Sequence, residues 1–566
     1  MKRALPALAL LCSALVLAAQ TPPTALIEGT VVAAAGQSQP LARAQVILTR
    51  VGGGLRDTLS AITDESGRFT IRDIPEASWR LFVEHERYLR AEYGQRLPDK
   101  PGMPITLASG QNLKLVVPMT AAGAIHGRVV NEYGEPLRDA SVKAWTPRYE
   151  DGKRTLSPLK AVSTNDLGEF RIFGLNPGSY YVSAERARAP QVSGGLLISN
   201  SPLAPATSVV PPSSFATGID LAVYYPNTNE RGAAPIEVRP GAGAETGNLI
   251  IRHLASGVHV RGTVSVSGTI PIPPDIRIEV WRLGGQVRMG EVPIHQLTVM
   301  LAPGTDSSTF DFSEFAPGAY TLEATVGKTR EEIQQGKVDI EVGETGLTNV
   351  DIRLLPYFKN VSGKVVVDGR PPSNNDPDLA NFRVFFPDAG SSTTRIQPNG
   401  SFVLPVFAGG TYKGSRLTLM DLGKNWFVKS VTLDGNDILQ NEFFLSTKPH
   451  DPIEIVISPN GGMLDGIVLD EGRTPLQSAT VVLVPNEPRR ARFDLYRTAT
   501  SDAAGRAHIE GIPPGNYRLF AWDNVIANQW QDPEFMKAHE ARGVAMTFQE
   551  GGKLQAEVKV IAGGGQ

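Results

Sequence analysis

One phrase, built on a hairpin glycine and a following aromatic residue, recurs five times along this chain. Residues 500–523 read TSDAAGRAHIEGIPPGNYRLFAWD, residues 163–186 read STNDLGEFRIFGLNPGSYYVSAER, and residues 62–85 read ITDESGRFTIRDIPEASWRLFVEH. Two fainter copies begin at Ser308 and Ile396. This recurrence restricts the chain to folds that are assembled from repeated units.

The spacing of the copies indicates that each unit is a whole domain. Every unit opens with a short strand pattern that carries one glycine, and these glycines are 98, 135, 101 and 103 residues apart. Solenoid repeats are only about 20–50 residues long, whereas about 100 residues make one Ig-like β-sandwich. We therefore expect each unit to bury its own core. The opening glycines are Gly29, Gly127, Gly262, Gly363 and Gly466.

Within each unit the pattern predicts short strands joined by tight turns. Apolar residues alternate with polar ones, as at Val46 and Leu48, which places them on one face of a strand. Asp64 can accept hydrogen bonds from the backbone downstream, and Gly67 is expected to take a positive φ. A proline–glycine pair then predicts a type II turn. An aromatic residue follows, at Trp79, Tyr180, Tyr320, Tyr412 and Tyr517.

The predicted fold is all-β, a tandem array of about five Ig-like β-sandwiches. High glycine (57) and proline (43) counts agree with many turns between short strands. The predicted segments are a signal peptide at 1–20, repeat one at 24–120, repeat two at 123–255 with a Ser/Pro-rich insertion at 187–220, repeat three at 257–356, repeat four at 359–459 and repeat five at 462–562.

Three motifs carry a resemblance to a known family: G.V.....PL..A.V.L, T(D/N)..G.F.I and PG.Y. Together they resemble the carboxypeptidase regulatory-like domain, a transthyretin-like (prealbumin-like) sandwich whose fold is shared with carbohydrate-binding modules. Repeats one, two and five match well. Repeat three lacks the glycine before Phe310, and repeat four has Gly409-Gly410 in place of proline–glycine. The resemblance implies an accessory domain without catalytic residues of its own.

Composition and the first residues indicate an exported protein. Lysine plus arginine total 55 against 58 acidic residues, so no basic excess suggests nucleic acid as a partner. Lys2 and Arg3 precede an apolar run too short for a membrane span, which is typical of a secretory signal peptide. The single cysteine, Cys12, lies inside that segment. We expect no membrane span, and a protein in the periplasm, on the cell surface or outside the cell.

The motifs of common enzymes are missing from the sequence. None of the eight histidines begins an H-E-x-x-H motif, and neither a G-x-S-x-G elbow nor a phosphate-binding loop occurs. We therefore expect a protein that is not an enzyme, with no catalytic residue, metal or cofactor. Aromatic residues in the variable loops are candidates for ligand binding, because flat rings pack on sugar C–H surfaces. These candidates are Tyr88, Tyr93, Tyr224, Tyr225, Trp530 and Phe535.

Three functions stay open on the sequence alone. The first is a non-catalytic, carbohydrate-binding protein of the cell envelope, an analogy of fold. The second is a structural or protein-interaction rod that binds an envelope protein and no glycan, through exposed strand edges. The third is an accessory subunit of a peptidase. The loop aromatics have an alternative role in each case, since they can fold back and fill the edge of the sandwich.

Overall fold

The computed structural model describes most of residues 24–563. The predicted signal peptide and nearly all of the insertion at 187–220 lie outside the described residues. The residues within that range that are not described are 35–38, 55–56, 99, 151, 187–218, 221, 255–256, 267–274, 283–292, 294, 303, 316, 328–332, 357–358, 374–375, 377–381, 387–391, 407–409, 414–416, 440–441 and 446–449.

Strands are the main element of the described residues, which contain one α-helix, α1 (Pro533–His539). The predicted all-β tandem array is confirmed. No helix in the described part of the chain is long and apolar enough to cross a membrane. The chain divides into two compact units, Met1–Ala122 and Gly123–Gln566. The bounds of the five repeats within these units stay a prediction.

Repeat one, in the first unit, is a pair of facing sheets. The smaller sheet has the order β4-β1-β8, and the larger has the order β3-β2-β5-β6 with β7 beside β5. Alternate residues of both sheets, such as Ile27, Val46 and Leu81, are buried in one core. Its strands are β1 (Ala25–Ala33), β2 (Gln45–Arg50), β3 (Thr58–Ile62), β4 (Arg68–Ile74), β5 (Ala77–His85), β6 (Tyr88–Glu92), β7 (Ile105–Leu107) and β8 (Asn112–Met119).

Repeat two keeps this plan with a longer β-hairpin. Its sheets have the orders β12-β9-β17 and β11-β10-β13-β15, with β16 also beside β13. The strands are β9 (Gly123–Asn131), β10 (Ala140–Glu150), β11 (Lys153–Ser163), β12 (Glu169–Leu175), β13 (Gly178–Arg186), β14 (Ile219–Asp220), β15 (Val223–Tyr224), β16 (Ile236–Val238), β17 (Gly243–Ile251) and β18 (His253–Leu254).

Repeats three and four are variants of the same plan. In repeat three all strands join one path, β21-β20-β23-β24-β25-β19-β22. They are β19 (Val258–Val266), β20 (Asp275–Arg282), β21 (His295–Met300), β22 (Ser307–Phe315), β23 (Gly318–Val326), β24 (Gln334–Val342) and β25 (Leu347–Pro356). Repeat four has β26 (Lys359–Val367), β27 (Arg383–Phe386), β28 (Ser392–Arg395), β29 (Ser401–Val406), β30 (Gly410–Lys413), β31 (Thr418–Met420), β32 (Phe427–Leu433), β33 (Asn436–Asp437), β34 (Glu442–Leu445) and β35 (Ile453–Ser458).

Repeat five adds helical turns to the sandwich. Its sheet order is β38-β37-β40-β42-β36-β39, with β41 beside β40. The strands are β36 (Gly462–Leu469), β37 (Thr480–Pro485), β38 (Arg497–Thr500), β39 (Arg506–Ile512), β40 (Gly515–Trp522), β41 (Val544–Phe548) and β42 (Lys553–Ile561). Short 3-10 helices lie at Arg489–Ala491, Phe493–Leu495, Gln529–Gln531 and Glu540–Arg542.

In the first four repeats, the opening glycine lies where the aromatic ring of a neighbouring strand needs room. The opening strand is central, with an antiparallel strand on one side and the parallel closing strand on the other. Gly29 is paired with Phe69, and a Cβ on Gly29 would lie 2.5 Å from the ring. Phenylalanine holds this partner position in repeats one to four, but repeat five has Ala507. The glycine is thus a packing requirement in the first four repeats.

The hydroxyl that begins the recurring phrase fastens the preceding turn. Thr63 Oγ1 donates to the Leu41 carbonyl (2.6 Å) and accepts from the Ala44 amide (2.8 Å). Thr164 and Ser501 make the same two bonds in repeats two and five. All three hydroxyl side chains are buried. Because both backbone groups would otherwise be buried without a partner, this residue is fixed by hydrogen bonding.

The turn after that hydroxyl has the predicted geometry. Asp64 Oδ1 accepts hydrogen bonds from the Ser66 and Arg68 amides at 2.8 and 2.9 Å. Gly67 has φ +71°, and Gly168 and Gly505 both have φ +72°. The side-chain acceptor and the left-handed residue are therefore confirmed. The turn is not a hairpin, because the strands that it joins, such as β3 and β4, do not pair and lie in different sheets.

The proline–glycine pair differs from the prediction. Gly178, Gly318 and Gly515 have φ of 151°, 158° and 144°, far from the roughly +80° of a type II turn. The type II assignment is wrong because each of these glycines is already the first residue of the next strand and pairs with the strand beside it. The aromatic residue two positions after the glycine recurs because its side chain fastens the turn that precedes it. Tyr180 and Tyr517 donate their hydroxyls to the carbonyls four residues earlier, at 2.8 and 2.9 Å.

Candidate functional site

The outer face of the larger sheet differs most between repeats. In repeat two, Trp145 on β10 is opposite Tyr181 on β13, and Lys143 is opposite Ser183. The residues between them, such as Ala144 and Val182, point into the core. Side chains alternate along a strand, so these four residues share the outer face.

Polar contacts hold the Trp145 ring in place on this face. Trp145 Nε1 donates to Ser183 Oγ at 2.8 Å, and the ring is half-buried. Lys143 forms an ion pair with Glu185, and its Nζ lies 6.0 Å from the Trp145 ring centroid. The Tyr224 ring lies 6.2 Å from that of Trp145. The result is a fixed aromatic ring beside charged hydrogen-bonding groups.

Arg154 extends this surface along the sheet. Its Nη1 donates to the Tyr181 hydroxyl at 2.8 Å, and its guanidinium lies 5.2 Å from the Tyr181 ring centroid. Trp145, Tyr181, Lys143, Ser183 and Arg154 are hereafter the repeat-two face. Tyr181 and Ser183 are buried, at 5% and 3% exposed, so Trp145 supplies the ring surface of this face. An aromatic ring beside hydrogen-bond donors and acceptors matches the mixed apolar and polar surface of a sugar.

The matching face of repeat five is apolar and covered. Val482, Val484, Phe520 and Trp522 are fully buried there, as part of a second cluster outside the sandwich core. Residues 524–543 supply the cover, which includes α1. The side chain of Asp532 caps α1 by accepting from the Glu534 amide at 3.0 Å, with Pro533 at the first helical position.

Trp530 and Phe535 belong to this cover. Trp530 is 5% exposed, and its ring stacks on Trp522 at 6.4 Å and 21°. Phe535 lies 6.0 Å from Trp522 and 4.6 Å from His539. Burial lowers the pKa of His539, and Arg542 adds to the effect. The two residues thus act as packing anchors of the insertion.

The other predicted loop residues are also packed. Tyr88 and Tyr93 are half-buried against the repeat-one core, and Tyr88 contacts His85 edge-on at 5.1 Å. Tyr224 is 3% exposed, and Tyr225 packs on the repeat-two core. The structure brings Trp530 near Phe535, and Tyr224 near Tyr225, within single repeats. Whether any of the six residues binds a ligand stays a prediction.

The repeat-two hairpin also contacts the repeat-five insertion. Asn528 Nδ2 donates to the Tyr149 carbonyl at 3.4 Å, and Tyr149 is 7% exposed. Burial and the nearby Asp532 raise the pKa of Tyr149. Repeats two and five are therefore in contact across 379 residues of sequence.

The repeat-one face is closed by charged residues. Arg80 makes two hydrogen bonds to Glu92, at 2.5 and 2.9 Å, and the Gly102 amide also donates to that carboxylate. The Arg90 guanidinium lies 4.3 Å from the Phe82 ring centroid. The same sheet thus carries a half-buried aromatic residue in each repeat, Phe82 beside Arg90 in repeat one and Trp145 beside Lys143 in repeat two.

Sequence reasoning did not identify Trp145, Tyr181 and Arg154. A signal was present, because Trp145 alternates with the inward Val142 and Ala144 in strand β10. Period-two alternation would have placed it on the outer face.

Comparisons with known proteins agree with the fold. Residues 26–120 match the model of the carboxypeptidase regulatory-like domain, which confirms the resemblance on repeat one. No curated protein matches the chain. The chain carries this domain within a larger all-β, multidomain protein.

Three solved structures show the range of similar folds. The minor pilin GBS52 of Streptococcus agalactiae is 8% identical over 44% of this chain and 99% of its own, with a TM-score of 0.23. The Bacillus anthracis TIE protein is 12% identical over 93% of this chain and 69% of its own, with a TM-score of 0.14. The shaft pilin SpaA of Lactobacillus rhamnosus GG is 9% identical over 44% and 100%, with a TM-score of 0.21. At these scores the likenesses assign no function.

Proposed function

We propose that this chain is an exported, non-catalytic binding protein of the cell envelope, and that the repeat-two face binds carbohydrate. The observation that carries the proposal is the Trp145 ring, which is half-buried and fixed by Ser183 beside Lys143 and Arg154. Of the predicted loop candidates, Trp530 and Tyr224 are almost fully buried, and the half-buried Tyr88 and Tyr93 pack against the repeat-one core.

The recurring phrase supports a non-catalytic role. Thr63, Asp64, Gly67 and Trp79 each have a structural task, and Trp79 Nε1 donates to the Pro75 carbonyl at 3.1 Å. The recurring residues therefore stabilise the fold, whereas the residues on the outer face of the larger sheet vary between repeats. A repeated frame with variable faces is suited to binding. Export rests on the first twenty residues, whose cationic start and apolar run are typical of a signal peptide.

The test is binding of the purified protein to neutral polysaccharides such as xylan and a β-glucan, by pull-down and then calorimetry. We expect saturable binding to one polymer, with about a tenfold weaker Kd for Trp145→Ala, equivalent to about 1.4 kcal/mol. Trp145→Phe should keep most of the affinity because it keeps a ring. Tyr133→Ala is the matched control, since Tyr133 is 82% exposed on a hairpin tip. Equal binding by Trp145→Ala and the wild type would refute the assignment.

A protein-interaction scaffold is the second candidate function. It is favoured by the contact between Tyr149 and the repeat-five insertion, because these segments already form a protein–protein surface within one chain. This candidate predicts no polysaccharide binding and an envelope protein that copurifies with the chain. A role as an accessory subunit of a peptidase stays a prediction that no contact in the structure favours.

A further inference from the structure

A cleft of about 240 Å³ lies where repeat four meets repeat five. Repeat four contributes one wall through the start of β32, and repeat five contributes the other through the segment that holds two 3-10 helices. None of its lining residues is acidic, and three are cationic. The lining residues are Phe427, Val428, Lys429, Arg489, Arg492, Leu495, Pro513 and Pro514.

Backbone hydrogen bonds join the linker residues Asn460 and Gly461 to repeat five and repeat four. The Gly461 amide donates to the Asn425 carbonyl at 2.8 Å, and the Gly551 amide donates to the Asn460 carbonyl at 2.7 Å. Lys429 Nζ also lies 3.0 Å from a carboxylate oxygen of Glu550 in repeat five. A cleft between walls fastened in this way exists before any ligand binds, which reduces the entropic cost of binding.

Two of the three cations already have carboxylate partners. Lys429 lies between Asp368 and Glu550, with both Nζ–oxygen distances at 3.0 Å. Arg492 makes two hydrogen bonds to Asp494, at 2.8 and 2.6 Å. These residues shape the cleft and contribute little free positive charge.

Arg489 is the cation without such a partner among the described residues. Its Nη1 donates to the Pro514 carbonyl at 2.9 Å, and its guanidinium lies 5.7 Å from the Tyr517 ring centroid. A guanidinium has five N–H donors in a planar fork that matches a carboxylate. Arg489 is thus held in position by the Pro514 carbonyl and by Tyr517, and the described residues give it no carboxylate partner.

We infer that this cleft binds the carboxylate of a sugar acid, a single uronate residue, through Arg489. The carboxylate follows from the guanidinium and from a lining without acidic residues. The cleft is smaller than the roughly 300–1,000 Å³ of sites for drug-sized ligands, which limits the ligand to about one ring. The half-buried Pro514 and Val428 offer apolar surface to that ring. The choice of a sugar rests on the proposed function, whereas the anion site does not.

The experiment titrates the purified protein with galacturonate, galactose and acetate, observed by ligand NMR. We expect millimolar binding of galacturonate, at least tenfold weaker binding of acetate, and none of galactose. Arg489→Gln should weaken galacturonate binding at least tenfold, and Arg489→Lys should weaken it less. Arg473→Gln is the matched control, because Arg473 is 74% exposed on its side chain. Added salt should weaken binding, as for any exposed ion contact.

The outcomes separate this site from the repeat-two face. Trp145→Ala should leave galacturonate binding unchanged, and Arg489→Gln should leave neutral polysaccharide binding unchanged. Acetate that binds as tightly as galacturonate would overturn the sugar acid. Galacturonate that binds Arg489→Gln as tightly as the wild type, or does not bind the wild type, would overturn the site itself.

Discussion

The outer faces of repeat two and repeat five occupy the same register of the same sheet, yet they carry opposite chemistry. Counting from the buried tyrosines at Tyr180 and Tyr517, Ser183 corresponds to Phe520 and Glu185 to Trp522. In repeat five this surface is apolar and lies under residues 524–543. In repeat two it is polar around one tryptophan. The core and turns are therefore alike in the two repeats while the outer face of the sheet differs. The outer face can thus take a different function in each repeat.

The largest test of this contrast removes the central ring of the covered face. Trp522→Ala should destabilise repeat five by about 3–5 kcal/mol, because a fully buried ring leaves a cavity. The matched change Glu185→Ala in repeat two should cost no more than about 1 kcal/mol, since it loses one partly exposed ion pair. Calorimetry of the whole protein, with hydrogen exchange to assign each transition, measures both. Equal losses would show that the two faces are alike.

The opening glycines should respond differently in the two repeats. A Cβ on Gly127 would collide with Thr246 Oγ1 and lie 2.8 Å from the Gly247 carbonyl oxygen. Gly127→Ala should therefore cost about 1–3 kcal/mol by overpacking. A Cβ on Gly466 would meet nothing nearer than 3.6 Å, so Gly466→Ala should be neutral or slightly stabilising. Thermal unfolding of the two variants measures both changes in stability. A large loss of stability for Gly466→Ala would contradict the packing explanation.

Loss of the buried hydroxyl that fastens the turn should reduce stability equally in repeats two and five. Thr164→Val and Ser501→Ala each remove a hydroxyl that serves a buried carbonyl and a buried amide. We expect each change to cost about 1–3 kcal/mol, because those backbone groups lose their partner. Denaturant titration followed by hydrogen exchange can compare them. Effects that differ several-fold would mean that the two frames are not equivalent.

The smallest expected effect is a pH response confined to the covered face. Burial holds the pKa of His539 below its ordinary value, which is about 6.5. The folded state therefore favours the neutral ring, and stability is complete above about pH 6.5 and falls as the pH drops through the lowered pKa. The melting temperature of His539→Gln should fall less than that of the wild type between pH 7 and pH 5. Melting temperatures of the variant and the wild type that fall equally with pH would show that His539 does not cause the response.

Much of the frame could be predicted from the sequence because its causes are local. Asp64, Gly67 and the alternating apolar residues follow rules of turns and strands that act within a few residues. The hydrogen bond of the Tyr180 hydroxyl is also local, because its acceptor is four residues away. The sequence pattern predicted the turn but not this hydrogen bond. The family resemblance added the sandwich, and the match at 26–120 agrees with it.

The sites depend on contacts that no local rule contains. The burial of Trp530 arises from Trp522, which belongs to a strand that precedes the insertion, and Tyr149 meets Asn528 across 379 residues. The cleft around Arg489 needs walls from two repeats. Tertiary packing determines side-chain exposure in such places. The sequence therefore shows which loop residues are aromatic but not whether they are exposed.

The most direct measurement is hydrogen exchange of the purified protein with and without a polysaccharide that it retains in pull-down. The account predicts slower exchange in peptides from 140–163 and 178–186, which hold Trp145 and Tyr181, and loss of that protection in Trp145→Ala. Peptides from 524–543 should not change, because their aromatic residues are already buried. Protection at 524–543, or none at the repeat-two face, would contradict the account.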